Sequence, residues 1–97
     1  MEETKEEITI TYGSLLELLL REKERGELQP LNQEFYHNVV RYLKDKNAIL
    51  TSKSDDLFSQ EEKEKTISQL ANVKRILTEL YERREKKVMQ LALEKSR

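Results

Sequence analysis

The sequence predicts an all-α protein: a small helical bundle in which two shorter helices pack on one long C-terminal helix. Three observations predict it. Residues 59–96 contain neither Gly nor Pro, so nothing in them stops a helix once it has started. Two earlier stretches carry apolar residues at helical spacing and are divided by Gly26 and Pro30. The alternating run Ile8-Thr9-Ile10-Thr11 is strand-like, but the chain offers no second strand to pair with it.

In chain order, residues 1–11 read as a flexible arm: Met1–Glu7 as a solvated, frayed end, and Ile8–Thr11 as extended backbone. The first helix is expected over 12–25. Thr11 can cap it and Ile10 can staple onto Leu15, while Ser14 with Glu17 forms a competing capping box one turn later. Leu15, Leu16, Leu18, Leu19 and Leu20 cover more than half its circumference and predict deep burial. Arg21-Glu22-Lys23-Glu24-Arg25 reads as a solvated last turn, with Gly26 as a left-handed stop.

Pro30 biases Gln29 to extended geometry, Asn32 is a good N-cap, and Leu31 can staple onto Tyr36. The second helix is expected over 33–50. Phe35, Val39, Tyr42, Leu43, Ile49 and Leu50 form its inner face, flanked by Tyr36 and Val40. Thr51–Asp56 is a polar break, after which Leu57 and Phe58 are expected to tuck onto the core. Ser59 and Glu62 form a capping box that opens the long helix, residues 60–95.

A helix of roughly 35 residues is on the order of 50 Å long, whereas a compact chain of this size has a radius of gyration of about 12–13 Å. The helix must therefore project beyond its companions. Leu70, Leu77, Tyr81, Val88 and Leu91 share one face, with Ile67 at the leading edge and Val73, Ile76 and Leu80 in a second row. From Val88 onward, Val88, Met89, Leu91, Ala92 and Leu93 point several ways. An end that is apolar nearly all round asks to be covered from several directions, which predicts an interface for another chain or domain.

The totals bound the function. The 97 residues suit one small domain, and a core that size gains from oligomerisation. Charged residues make up 38% of the chain, well above the average of about 25%, as long solvated helices require. A formal net charge of −1 gives no global pull toward nucleic acid or anionic membrane. Charge is uneven, however: Met1–Glu7 has four Glu and one Lys, and Glu82–Arg97 has six Lys/Arg and three Glu. The absence of cysteine suits an intracellular protein, and no run approaches a membrane span.

Catalytic patterns are missing: no glycine-rich phosphate loop, no Cys nucleophile, no His-x-x-x-His. His37 is the sole histidine and a poor metal ligand without partners, so neither a metal nor a cofactor is expected. Arg84 stands out, because it sits between Tyr81 and Val88 on an apolar face. Either its stem packs and its head reaches the helix edge, or it enters a buried ion pair with an acid of the first two helices or of a partner. Arg83, Lys86 and Lys87 read as more exposed neighbours that also complement the helix dipole.

The set Tyr12-x-x-Leu15, Arg21-Glu22-Lys23-Glu24, Leu28-Gln29-Pro30-Leu31-x-x-x-Phe35-Tyr36 and Tyr42 resembles the N-terminal helical A domain of an archaeal GINS subunit. The segment Asn72-Val73-x-x-Ile76-x-x-x-x-x-Glu82-Arg83-Arg84-Glu85-Lys86-Lys87-Val88-x-x-Leu91-Ala92 adds to the likeness, which covers about Tyr12 to Leu93. The helical-domain-first order is that of the archaeal subunit related to eukaryotic Sld-five and Psf-one. The resemblance implies a non-catalytic DNA replication factor of the archaeal cytoplasm, associated with the nucleoid. Such a subunit assembles with its sister GINS subunit and with itself into a tetramer that joins the MCM helicase and a RecJ/Cdc-forty-five-like protein at the replication fork. The β-rich B domain expected after a linker has no counterpart here, so the chain reads as an A domain alone.

On this reading the contact residues of the long helix are Tyr81, Arg84, Val88, Met89, Leu91 and Leu93. Three alternatives compete. An all-α enzyme resembling chorismate mutases would use Arg84, Arg75 and Lys87 to hold a dicarboxylate, although those enzymes place the long helix first. A nucleic-acid binder would use Arg83, Lys86, Lys87 and Lys95, although interleaved Glu residues oppose it. A generic helical oligomerisation module would need no particular site.

Overall fold

The computed structural model describes residues 9–53 and 56–96. The expected solvated end at Met1–Glu7 lies outside the described residues, as do Ile8, Ser54, Asp55 and Arg97. Among the described residues three helices follow one another: α1 (Tyr12–Glu24), α2 (Phe35–Leu50) and α3 (Leu57–Lys95). Among the described residues there is no strand, and Thr9–Thr11 runs without regular structure into α1. The class is all-α, with two shorter helices packed on a long last one.

α1 begins where Thr11 caps it. The Ser14 N–H donates to Thr11 Oγ1 (3.0 Å) and the Thr11 N–H donates to Ser14 Oγ (2.8 Å), a reciprocal box that satisfies two otherwise unpaired donors. Ser14 thus completes the Thr11 box, and the later start with Glu17 is not used. Leu15 and Leu19 are buried and Leu18 partly so, but Leu16 and Leu20 are 38% and 44% exposed. The expectation of burial all round is corrected to a single stripe, because α1 packs on α3 alone.

α2 starts at Phe35, two residues later than expected. Asn32 does act at this end: its Oδ1 accepts from the Glu34 N–H (2.7 Å) and its carbonyl accepts from the Phe35 N–H (3.0 Å). Those bonds close a tight turn over Gln33 and Glu34 before the regular helix begins. Phe35 and Val39 are buried; Tyr42, Leu43 and Leu31 pack partly against the same core.

α3, by contrast, starts three residues earlier than expected. Asp56, not Ser59, is the cap: its Oδ1 accepts from the Ser59 N–H at 2.7 Å. Leu57 and Phe58 therefore fall in the first helical turn. They are 75% and 77% exposed, which corrects the expectation that they fold back onto the core. The helix is 39 residues long, about 58 Å at 1.5 Å per residue. It sets the long dimension of 61 Å and a radius of gyration of 17.1 Å, well above the roughly 12–13 Å of a compact chain of this size.

The core lies along the middle of α3. Val73, Ile76, Leu77 and Leu80 are buried against Ile10, Leu15 and Leu19 on one side and Phe35 and Val39 on the other. The row headed by Val73 is thus the principal buried face, whereas Ile67 is 57% exposed and Tyr81 sits at its margin. From Val88 to Ser96 every residue is exposed. Among the described residues no helix is long and apolar enough to cross a membrane.

Leu80 is fully buried in this seam. Its replacement by Ala removes packing between all three helices and is expected to cost about 2–5 kcal/mol in urea unfolding. Phe58→Ala, at an exposed position, is expected to change stability by no more than about 0.5 kcal/mol.

Candidate functional site

The buried stripe of α1 runs Leu15, Leu19 and then Glu22, at steps of four and three. The third member is a carboxylate, 2% exposed. This corrects the reading of Arg21–Arg25 as a solvated turn: helical spacing carries Glu22 inward while Arg21, Lys23, Glu24 and Arg25 stay at the surface. The seam of α3 continues from Val73, Ile76, Leu77 and Leu80 to Arg84 and Lys87, again at steps of three and four. The two stripes turn ionic at the same level and meet.

Arg84 Nη1 donates to Glu22 Oε1 at 3.0 Å and also to the Gln29 carbonyl. Lys87 Nζ donates to Glu22 Oε2 (2.8 Å) and to the carbonyls of Glu22 (2.8 Å), Arg25 (2.9 Å) and Glu27 (3.1 Å). The Gln29 N–H closes the cluster on Glu22 Oε2 at 3.1 Å. Lys87 is thus a bound cation and not the exposed one expected, since its ammonium is enclosed by oxygens from the end of α1 and the following loop. That arrangement also explains the end of α1. The carbonyls of Glu22, in its last turn, and of the capping Arg25 are taken by Lys87, Arg25 continues in extended geometry at φ −105°, and Gly26 has no positive φ, so the expected left-handed stop is not used.

Two cations face one carboxylate, and the carbonyl dipoles at the C-terminus of α1 supply the remaining negative potential. Burial pushes the Glu22 carboxyl up. Hydrogen bonds from Lys87, the Gln29 N–H and Arg84 outweigh it, and the group titrates below its ordinary value. A second ionic set, Lys23–Glu79 (3.5 Å) and Arg83–Glu79 (3.2 Å), lies at the surface of the α1–α3 junction, where such pairs contribute little.

The six residues expected at the interface divide. Arg84 belongs to the clasp just described and is engaged within the chain. Tyr81 stacks on Tyr36 of α2, with ring centroids 5.8 Å apart, and both rings show an edge or face to solvent. Burial, with Tyr36 beside it, pushes the Tyr81 hydroxyl above its ordinary pKa. Val88, Met89, Leu91 and Leu93 stand free at 51%, 60%, 44% and 66% exposure. At 100° per residue, Met89 and Leu93 lie roughly opposite the flank of Val88 and Leu91, so the tip is apolar on two sides.

Cations of the competing readings do not converge. Arg75 is nine residues from Arg84, half a turn out of phase, and donates to Asn72 on the solvent side. Of the four cations proposed for nucleic acid, Lys87 is enclosed and Arg83 is paired with Glu79. His37 is exposed beside Arg41 at 3.2 Å, and no metal-binding cluster exists among the described residues. Compared with protein-family models, with curated proteins and with solved structures, the chain matches none of them.

Glu22 is the residue that sequence reasoning missed. The signal was its phase, seven residues after Leu15 and three after Leu19, which outranks its place in a run of charges. Glu22→Gln leaves two half-buried cations without their counter-ion and is expected to cost about 3 kcal/mol at neutral pH. Because the folded carboxyl titrates lower than the unfolded one, its contribution is intact above about pH 4.5 and is lost as pH falls through the folded value. Urea unfolding from pH 7 to 3 is expected to show that loss in the native chain, and a shallower decline in Glu22→Gln.

Proposed function

We propose that this chain is a non-catalytic assembly subunit of the GINS type, and that α3 is the element through which it assembles. The observation that carries the proposal is the bare tip of α3: Val88, Met89, Leu91 and Leu93 are solvent-facing on a helix that outruns both companions. Contiguous apolar surface of this kind marks an interaction site. The residues that carry the family likeness add support. Glu22, Gln29, Arg84 and Lys87 come from three separate motifs, and they meet in one clasp. A pattern dispersed in sequence but joined in space is a structural unit, not a coincidence of composition.

In this reading the chain binds its sister GINS subunit through the tip of α3 and adjoining surfaces. Through the tetramer it helps to join the MCM helicase to a RecJ/Cdc-forty-five-like protein at the archaeal replication fork, in the nucleoid-bearing cytoplasm. It performs no chemistry and needs no cofactor. Contact with DNA, where it occurs, is weak and belongs to the assembly.

The test is light scattering of the chain alone and mixed with the sister subunit. A mixed complex is expected. The double variant Leu91→Asp/Leu93→Asp, changed at two exposed positions, is expected to lose that complex while keeping its helical circular dichroism. A chain that ignores the sister subunit at any workable concentration removes the proposal.

A further inference from the structure

One long face of α3 stands exposed and is met by α2 at its edge, where Tyr81 stacks on Tyr36. It carries Ile67, Ala71, Lys74, Thr78, Glu85 and Ala92, all exposed, and it takes in Tyr81 and Val88 at its edge. These positions recur at steps of four and three over about 37 Å of helix. A shallow open trough follows part of this face, lined by Ala71, Lys74, Thr78 and Glu85 among others. The small side chains of Ala71 and Thr78 make room there for a second helix axis to approach.

The face is self-complementary. Turned end over end about the midpoint between Glu79 and Leu80, it sets Thr78 against Tyr81, Lys74 against Glu85, Ala71 against Val88 and Ile67 against Ala92. Apolar or small groups meet one another, and the two charges meet with opposite sign. Neither Lys74 nor Glu85 has a side-chain ion pair or hydrogen bond among the described residues, whereas Glu22, Glu79, Arg83, Arg84 and Lys87 are all paired. In a parallel, in-register pairing Lys74 would face Lys74 and Glu85 would face Glu85, which like-charge repulsion disfavours. The antiparallel arrangement is the isologous one, in which each contact occurs twice about a two-fold axis. Beside Tyr81, the exposed Tyr36 and Val40 of α2 share a face and widen the apolar strip.

We infer that α3 pairs antiparallel with α3 of a second copy of this chain, in the register that joins Lys74 to Glu85 twice. The inference rests on the reading of α3 as the assembly helix, and it names one occupant and its alignment. Of the tip residues the dimer face takes in Val88 at its edge and leaves Leu91 and Leu93 outside it, so a dimer can form and still offer those two leucines to a different subunit.

Sedimentation equilibrium of the chain alone, over a range of concentrations, tests it. The native chain is expected to dimerise. Lys74→Glu and Glu85→Lys, each placing two like-charge contacts in the interface, are expected to raise the dimer dissociation constant about tenfold or more. The double reversal Lys74→Glu/Glu85→Lys is expected to restore it to near the native value. Both positions are exposed, and circular dichroism checks that each variant stays folded. A monomeric native chain, single reversals without effect, or a double reversal that stays dissociated would each overturn the register. A monomer that still binds the sister subunit refutes this inference and leaves the proposed function standing; a charge-dependent dimer that ignores that subunit does the opposite.

Discussion

The carboxylate of Glu22 is the constraint on which the arrangement of this chain depends. It is almost completely withdrawn from water, and an unpaired charge there would be strongly destabilising. It is compensated only if Arg84 and Lys87 arrive together, and they do so only if α1 lies on α3 at one level and one rotation. Apolar contacts between Leu15, Leu19 and the Val73–Leu80 seam favour association but are tolerant of sliding, since one aliphatic side chain packs nearly as well as the next. The ionic clasp is not tolerant. It ends α1, orders the Arg25–Gln29 loop around an ammonium group, and so sets where α2 begins its return.

The same clasp marks where the bundle stops. Past Lys87 no side chain of α1 or α2 shelters α3, yet five of the next six residues, all but Gln90, are apolar. A helix that needed only to fold alone would turn polar at that point, because exposed Leu, Val and Met gain nothing from water. Both the tip and the back of α3 are surfaces left over after the intrachain core has been satisfied. That is the physical basis for reading the molecule as a part that completes itself by association, whichever larger assembly receives it.

Much of the fold was legible in local signals. Thr11 as a cap, the Gly26–Pro30 interruption, and the unbroken run after Ser59 placed three helices, because capping and helix breaking are decided within a few residues. Errors occurred where the decision was not local. Gly26 had the residue type for a left-handed stop, but Lys87, 61 positions away in the chain, supplies the carbonyl partners instead. Leu57 and Phe58 are hydrophobic enough to be core, yet Asp56 caps α3 early and commits them to an exposed helical turn. Glu22 sat in a run of five charged residues whose appearance suggested solvent, and its phase relative to Leu15 and Leu19 was the better guide. Arg84 was legible as a charge on an apolar face that either reaches the helix edge or enters a buried ion pair with an acid of the first two helices; the ion pair is what forms, and only its partner, Glu22, was not legible.

What the sequence by itself determined is the class, the order and approximate length of three helices, and the surplus of apolar residues at the far end of the last. These follow from short-range periodicity, capping and the absence of breakers. Tertiary structure alone decided which row of α3 is core, which leucines of α1 are left exposed, and that one acid of a charged turn is the partner of two cations more than sixty residues away. The reason is physical: a charge or a methyl group has no fixed place until a neighbour from elsewhere in the chain either covers it or leaves it to water.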